Sequence, residues 1–231
     1  MERKYYEAYD ERYRKIHGLN LQWFYDDPTP IVMETIHEFG ISHDQPILEL
    51  GCGEGRDAYP LLKGGYRLIA TDVSAAAIQY AQNKWPELAD NFSVLDCVAG
   101  DTPEKFDFIY AVAVVHMLVA DVDRDRFYTF IRDHLTHNGI ALICTMGDGE
   151  TEQQTDIRTA FDLQVRTHEQ TGKEVQIANT SCRMVSFETL HAELQRNGLS
   201  IIKEGITTAL PDFQSLMYTI IEKRERMNEG R

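Results

Sequence analysis

The segment Ile47-Leu48-Glu49-Leu50-Gly51-Cys52-Gly53-Glu54-Gly55-Arg56-Asp57 constrains the fold of this chain more than any other. A short apolar run of strand type passes into a turn with glycine at every second position, and a helical pattern follows. Glycines there permit a tight turn and let a ligand approach the backbone. The first amides of the following helix have no partner within that helix. Pro60 suits such a helix start, because a first-turn residue has no intrahelical donor bond to lose. By itself the glycine pattern is also that of a purely structural strand-to-helix turn, so its surroundings must decide.

From residue 46 onward the pattern alternates. Residues 47–50, 67–71, 92–95, 106–115 and 140–145 read as strands, the fourth nearly all apolar, as expected of a strand covered on both faces. Ser74 is placed to cap a helix through Ala75, Ile78 and Ala81. Another helix, with Phe127, Phe130, Ile131 and Leu135 inward, is expected to end at Asn138-Gly139. This β-α-β-α order predicts an α/β fold with a mostly parallel, doubly wound sheet and right-handed crossovers.

Residues 2–16 read as an amphipathic helix with Tyr5, Tyr9, Tyr13 and Ile16 near one face. An aromatic cluster, residues 21–25, precedes a second helix through Ile31, Val32, Ile36 and Phe39 that stops at Gly40. Residues 1–45 are therefore expected to form a helical cap on a domain of residues 46–231. Residues 147–185 are polar and weakly alternating, which predicts an insertion over the carboxyl edge of the sheet, with a hairpin turned at Thr171-Gly172. A helix capped by Ser186, then strands at residues 199–206 and 213–221, should close the sheet. The charged tail, residues 222–231, is expected to fray.

At 231 residues and 43% apolar, the chain can bury one full core. Its net charge of -14 argues against a phosphate-backbone partner, which normally meets a basic face, and against an anionic membrane surface. No apolar run has the length of a membrane span, and no apolar segment of signal type opens the sequence. Cys52, Cys97, Cys144 and Cys182 lack zinc or redox spacing, as do His134, His137, His168 and His191. The expectation is a cytoplasmic monomer or homodimer that binds no nucleic acid, no membrane and no metal.

Two further strand ends turn the glycine segment into a site. The second strand ends in Asp72, about where a carboxylate accepts both ribose hydroxyls of a nucleoside cofactor. The third ends in Asp96, at the same edge of the sheet and within reach of an adenine amine. With these residues the chain resembles the class I S-adenosylmethionine-dependent methyltransferases over residues 46–145, and more loosely over the last helix and two strands. The resemblance implies a Rossmann-like sheet of seven strands whose last strand is antiparallel. It implies S-adenosylmethionine as cofactor, held by Glu49, Gly51, Gly53 and Gly55, by Asp72 with Val73, by Asp96 with Cys97, and by Ala111 near the methionine moiety. Residues 111–118 look like the small-molecule branch, which includes proteins similar to tellurite-resistance methyltransferases. Glu49 also speaks against a nicotinamide cofactor, since a carboxylate suits an ammonium and a sulfonium but not a pyrophosphate.

The implied function is transfer of a methyl group to a small-molecule acceptor by in-line displacement. The alternative is a non-catalytic regulatory protein that binds S-adenosylmethionine or S-adenosylhomocysteine. Such a displacement needs alignment and water exclusion more than a dedicated base. His116 follows the fourth strand and is the candidate base, or else a histidine that only hydrogen-bonds at a strand-to-loop junction. Trp23 and Tyr25, with Phe24, are candidates for an apolar lid over the acceptor, or for a staple that pins the cap. Cys182 and Arg183 are candidates for the acceptor pocket, or an ordinary buried thiol and surface arginine.

Overall fold

The computed structural model describes residues 3–207 and 215–224. After a short 3₁₀ turn at Tyr5–Glu7 the helices α1 (Ala8–Gly18) and α2 (Pro30–Phe39) precede the sheet. There follow β1 (Ile47–Leu50), α3 (Ala58–Lys63), β2 (Leu68–Asp72), α4 (Ala75–Lys84), β3 (Phe92–Val94), β4 (Phe106–Val112), α5 (Asp121–His134) and β5 (Leu135–Met146). The short strands β6 (Gln153–Gln154), β7 (Leu163–Thr167), β8 (Glu174–Ala178) and β9 (Arg183–Met184) lead to α6 (Phe187–Arg196), β10 (Leu199–Thr207) and β11 (Leu216–Lys223).

Seven strands form one sheet in the order β10-β11-β5-β4-β1-β2-β3. β1 runs parallel to β2 and β4, β2 to β3 and β4 to β5, while β11 is antiparallel to both its neighbours. This is the mostly parallel sheet with an antiparallel last strand that the sequence pattern and the resemblance predict. Side chains of a strand alternate between faces, and β1 feeds both: Ile47 joins the core beneath α2, α3 and α4, while Leu48 and Leu50 join the core beneath α5 and α6. Strand order reverses between β1 and β4, and that reversal opens a crevice at the carboxyl ends of the strands.

Three local expectations are corrected. Helix α5 does not end at Asn138-Gly139 but at His134, and the chain enters β5 at once, so both residues lie inside the strand. Gly139 serves close approach instead: a Cβ there would stand 2.8 Å from the Phe106 carbonyl oxygen, beside the register shift in the β4–β5 pairing. β4 stops at Val112, because Ala113 takes φ 59° and the chain turns through a 3₁₀ helix at Val115–Met117. Glu222 and Lys223 extend β11, and the Arg224 amide bonds the Gly198 carbonyl, so the tail is ordered further than expected. Residues 225–231 and the expected strand start at Phe213-Gln214 lie outside the described residues.

Residues 147–185 leave the large sheet and make two antiparallel pairs, β6 with β9 and β7 with β8. Gly172 takes φ 67° in the turn between β7 and β8, where its amide bonds the His168 carbonyl. Ile16 of α1 packs on Val175 and Ile177 of β8, and the Arg12 guanidinium donates to the carbonyls of Ala178 and Asn179 and to the Thr180 hydroxyl. The α1 helix is thereby fastened to this segment as well as to α4, at whose start Ser74 and the Ala76 amide donate to Asp10.

Arg124 of α5 and Glu193 of α6 form an ion pair in which neither side chain is exposed. Two nitrogens of Arg124 meet the two carboxylate oxygens at 2.8 and 2.6 Å, Tyr128 donates to one of them at 2.8 Å, and another Arg124 nitrogen reaches the Val115 carbonyl at 2.8 Å. Removing one member strands the other charge in the core. Glu193→Ala should therefore cost about 3–5 kcal/mol, read as a lower urea midpoint of unfolding at unchanged slope.

Candidate active site

The crevice between the tips of β1 and β4 opens into a cleft with about 1030 Å³ of space not filled by protein atoms, the open solvent at its mouth included. Its floor is the turn after β1. Gly51 (φ 74°) and Gly53 (φ 54°) sit in the left-handed region, which side-chain-bearing residues rarely adopt. A Cβ on Gly51 would lie 2.3 Å from a Val114 methyl, and one on Gly53 would lie 2.6 Å from the Tyr13 hydroxyl. Only bare backbone fits between the cleft and those neighbours. Gly55 does not line the cleft and packs beside Trp85 and Phe92.

Three strand tips bring carboxylates to this floor. Glu49 is buried in β1 between Ala70 and Tyr110, and the Tyr110 hydroxyl donates to it at 3.0 Å. Burial, then the nearby Asp57, pushes its carboxyl well above the usual carboxylate range. Asp72 accepts the amides of Gly53 and Ser74, each at 2.8 Å, which ties the glycine turn to the tip of β2. Burial raises its carboxyl to about 6, although those amides favour the charged form and the nearby Asp10 opposes it. Asp96 accepts the Val98 amide at 2.9 Å, the Tyr6 hydroxyl at 3.1 Å and the Lys4 ammonium at 2.7 Å. Val73 and Cys97 line the cleft next to Asp72 and Asp96.

The cap forms the roof. Tyr6, Tyr9, Tyr13, Phe24 and Tyr25 all line the cleft. Their placement depends on two acidic residues that sequence reasoning did not single out. Glu54, within the glycine turn, accepts the amides of Trp23 (2.8 Å) and Phe24 (3.0 Å) and pairs with His17 at 2.7 Å. Asp57 binds both the amide and the hydroxyl of Thr29, just before α2. A carboxylate beside a glycine turn reads as a ligand group or an exposed charge, and nothing local shows that its partners lie thirty residues upstream. The tyrosines carried a faint signal, since 5, 9 and 13 share a helical face, but that face equally reads as packing.

Several expected residues are not brought to the cleft. Ala111 is fully buried in β4 on the α5–α6 side, while Ala113, two residues on, lines the cleft. His116 lies in the buried turn after β4 and is not part of the lining; burial, with Arg124 and Arg12 nearby, pushes its imidazole down to about 4. The Trp23 ring stands over Arg12 and beside Ile16, although its backbone amide meets Glu54. Cys182 pairs with Thr155, and Arg183 binds Asp121 and the Val119 carbonyl at a separate surface hollow. Among the described residues no helix is long and apolar enough to cross a membrane, and no group of three acidic, histidine or cysteine side chains gathers as a metal centre.

Residues 47–139 match the family described as methyltransferase domain. Over these residues, about two-fifths of the chain, the protein is similar to methyltransferase domains. Solved structures share the fold of the whole chain. It superposes on the CcbJ methyltransferase of Streptomyces caelestis with a TM-score of 0.68 at 14% identity, covering 94% of this chain and 99% of that one. A TehB-like S-adenosylmethionine-dependent methyltransferase from Corynebacterium glutamicum gives 0.57 at 17% identity, covering 95% and 98%. The glycopeptide N-methyltransferase MtfA complexed with S-adenosylmethionine gives 0.62 at 20% identity, covering 87% and 96%. No curated protein sequence matches the chain.

The Glu54 carboxylate fastens the roof to the floor. Hydrogen bonds to a charged group contribute about 1.5–3 kcal/mol each, so Glu54→Ala should release residues 17–25 while the sheet stays folded. Amide exchange at Trp23 and Phe24 should speed up by about tenfold or more, with protection in β1, β4 and β5 unchanged.

Proposed function

We propose that this methyltransferase binds S-adenosylmethionine in the cleft at the tips of β1, β2 and β3 and passes its methyl group to a small-molecule acceptor under the tyrosine-rich roof. The observation that carries the reading is the convergence of Glu49, Asp72 and Asp96 on one cleft whose floor is bare glycine backbone. These residues fit the cofactor chemically. Glu49 suits the methionine ammonium, Asp72 with Val73 the ribose, Asp96 with Cys97 the adenine, and the bare backbone of the Gly51–Gly53 turn permits close approach.

The cofactor supplies a methyl group already activated by its sulfonium. The chain aligns the acceptor and excludes water, and the aromatic roof serves both ends. Tyr25 and Phe24 are in position for this; Trp23 braces the roof from outside through Arg12. We assign His116, neutral well below pH 7 and outside the lining, to the turn that shapes the acceptor end rather than to proton removal. A cleft roofed by the cap supports a small acceptor over a polymer, and the net charge of -14 supports the same choice against nucleic acid. The free thiols of Cys52, Cys97, Cys144 and Cys182 are consistent with a reducing, cytoplasmic setting.

Calorimetric titration with S-adenosylmethionine and S-adenosylhomocysteine tests the assignment. Both should bind, and Asp72→Ala should weaken both by about 10- to 100-fold, the loss of one or two charged hydrogen bonds. Absence of binding by the unaltered protein at millimolar ligand would end this reading.

The same residue sets a pH dependence. A ribose diol needs the ionised carboxylate as acceptor, and in the free protein that form is lost as pH falls through about 6. Binding therefore favours deprotonation, and affinity should decline below pH 6 by up to about tenfold per pH unit. In Asp72→Asn the decline in that window should vanish.

A further inference from the structure

Tyr5, Tyr6, Tyr9 and Tyr13 follow one another through the first turn and α1, and the hydroxyls of the first three are engaged within the protein. Tyr5 accepts the amides of Val119 and Ala120, Tyr6 donates to Asp96, and Tyr9 donates to the Ser181 carbonyl. The Tyr13 hydroxyl has no hydrogen-bond partner among the described residues, although the residue is only 6% exposed. A buried hydroxyl ordinarily has a partner, because leaving it unpaired costs free energy.

The place of this hydroxyl points to the missing partner. It stands over Gly53, where a Cβ would lie 2.6 Å from it, and Tyr13 lines the cleft. The Gly53 amide in turn donates to Asp72, so hydroxyl and carboxylate flank the same stretch of the glycine turn. Burial, then Asp72 and Glu54, pushes the Tyr13 phenol well above its usual value, which keeps it a neutral donor. An ionised carboxylate can only accept. A ribose hydroxyl that donates to Asp72 therefore still has lone pairs open to a donor, and Tyr13 can supply one.

The rest of α1 holds this hydroxyl in place. Asp10 accepts the Ala76 amide at the start of α4, Arg12 donates to the carbonyls of Ala178 and Asn179, and Ile16 packs on Val175 and Ile177. These contacts lie on both sides of Tyr13 in the helix. A donor fixed before the ligand arrives loses little freedom on binding.

We propose that Tyr13 is a cofactor-binding residue supplied by the cap, its hydroxyl donating to a ribose hydroxyl oxygen of S-adenosylmethionine while Asp72 accepts the sugar's protons. This rests on the methyltransferase reading above and deepens it. The ribose is then held between roof and floor, by a donor from α1 and an acceptor from β2, and the cap belongs to the cofactor site as well as to the acceptor site.

The test is Tyr13→Phe, which keeps the ring and removes only the unpaired group. Without ligand, its urea midpoint of unfolding should equal or exceed that of the unaltered protein, since no internal hydrogen bond is lost. In calorimetry S-adenosylhomocysteine should bind the variant about three- to tenfold more weakly, the worth of one neutral hydrogen bond. Analogues of S-adenosylhomocysteine lacking the 2′- or the 3′-hydroxyl complete a cycle between protein and ligand groups. For at least one of them the difference between variant and unaltered protein should shrink to less than about twofold.

A role in packing alone, or a bond to the methionine carboxylate, would weaken all three ligands alike, and that result overturns the proposal. Undiminished binding of S-adenosylhomocysteine by Tyr13→Phe overturns it too, as does a lower urea midpoint without ligand, because the hydroxyl would then serve the fold. Failure of S-adenosylhomocysteine to bind the unaltered protein overturns the function proposed above instead, so the two failures are distinguishable.

Discussion

The hydrogen bond from the Gly53 amide to the Asp72 carboxylate joins the turn after β1 to the tip of β2, and the rest of the cleft depends on that junction. It holds the glycine turn open as bare backbone, with φ values that side chains disfavour and with neighbours that would collide with any Cβ. It also places a buried carboxylate beside the space where a ligand's hydroxyls would lie. A buried carboxylate with two amide donors has acceptor capacity left over, so Asp72 can hold the turn and still receive a diol.

A second set of carboxylates does for the roof what Asp72 does for the floor. Glu54 in the glycine turn and Asp57 just after it bind backbone amides of the cap at Trp23, Phe24 and Thr29. Tyr5 accepts the amides of Val119 and Ala120 at the start of α5, and Asp10 accepts the Ala76 amide at the start of α4. Amides at helix starts have no partner within their own helix, so side chains from the cap complete them. The roof is consequently built from contacts that also finish the sheet's helices, which makes it continuous with the domain beneath.

What was legible in the sequence follows the range of the interactions concerned. The strand tips at Glu49, Asp72 and Asp96 could be read because each lies in or just after the last residues of a strand-type run, and a parallel sheet brings all such ends to one edge. Ser74 and Ser186 could be read as caps because their partners, the amides of Ala77 and Thr189, are three residues away. The Asn138-Gly139 stop was misread because a glycine near a helix end has the same local appearance whether it caps the helix or lets two strands approach. Only the register shift beside Phe106 separates the two. Trp23, Ala111, His116, Cys182 and Arg183 were singled out by residue type and position in the chain, yet which side of a turn faces the cleft depends on packing that a one-dimensional pattern does not encode.

By itself, then, the sequence determined the doubly wound sheet and the edge at which Glu49, Asp72 and Asp96 gather, because period-two alternation, helix caps and glycine turns act over a few residues. Only the tertiary structure decided what covers that edge. The tyrosines of the cap, the Glu54 and Asp57 fastenings and the exclusion of His116 from the cleft all arise from contacts between segments far apart in the chain. Such contacts form only where the fold has already brought the segments together, and the energy that selects them, buried hydrogen bonds and excluded water, has no short-range signature.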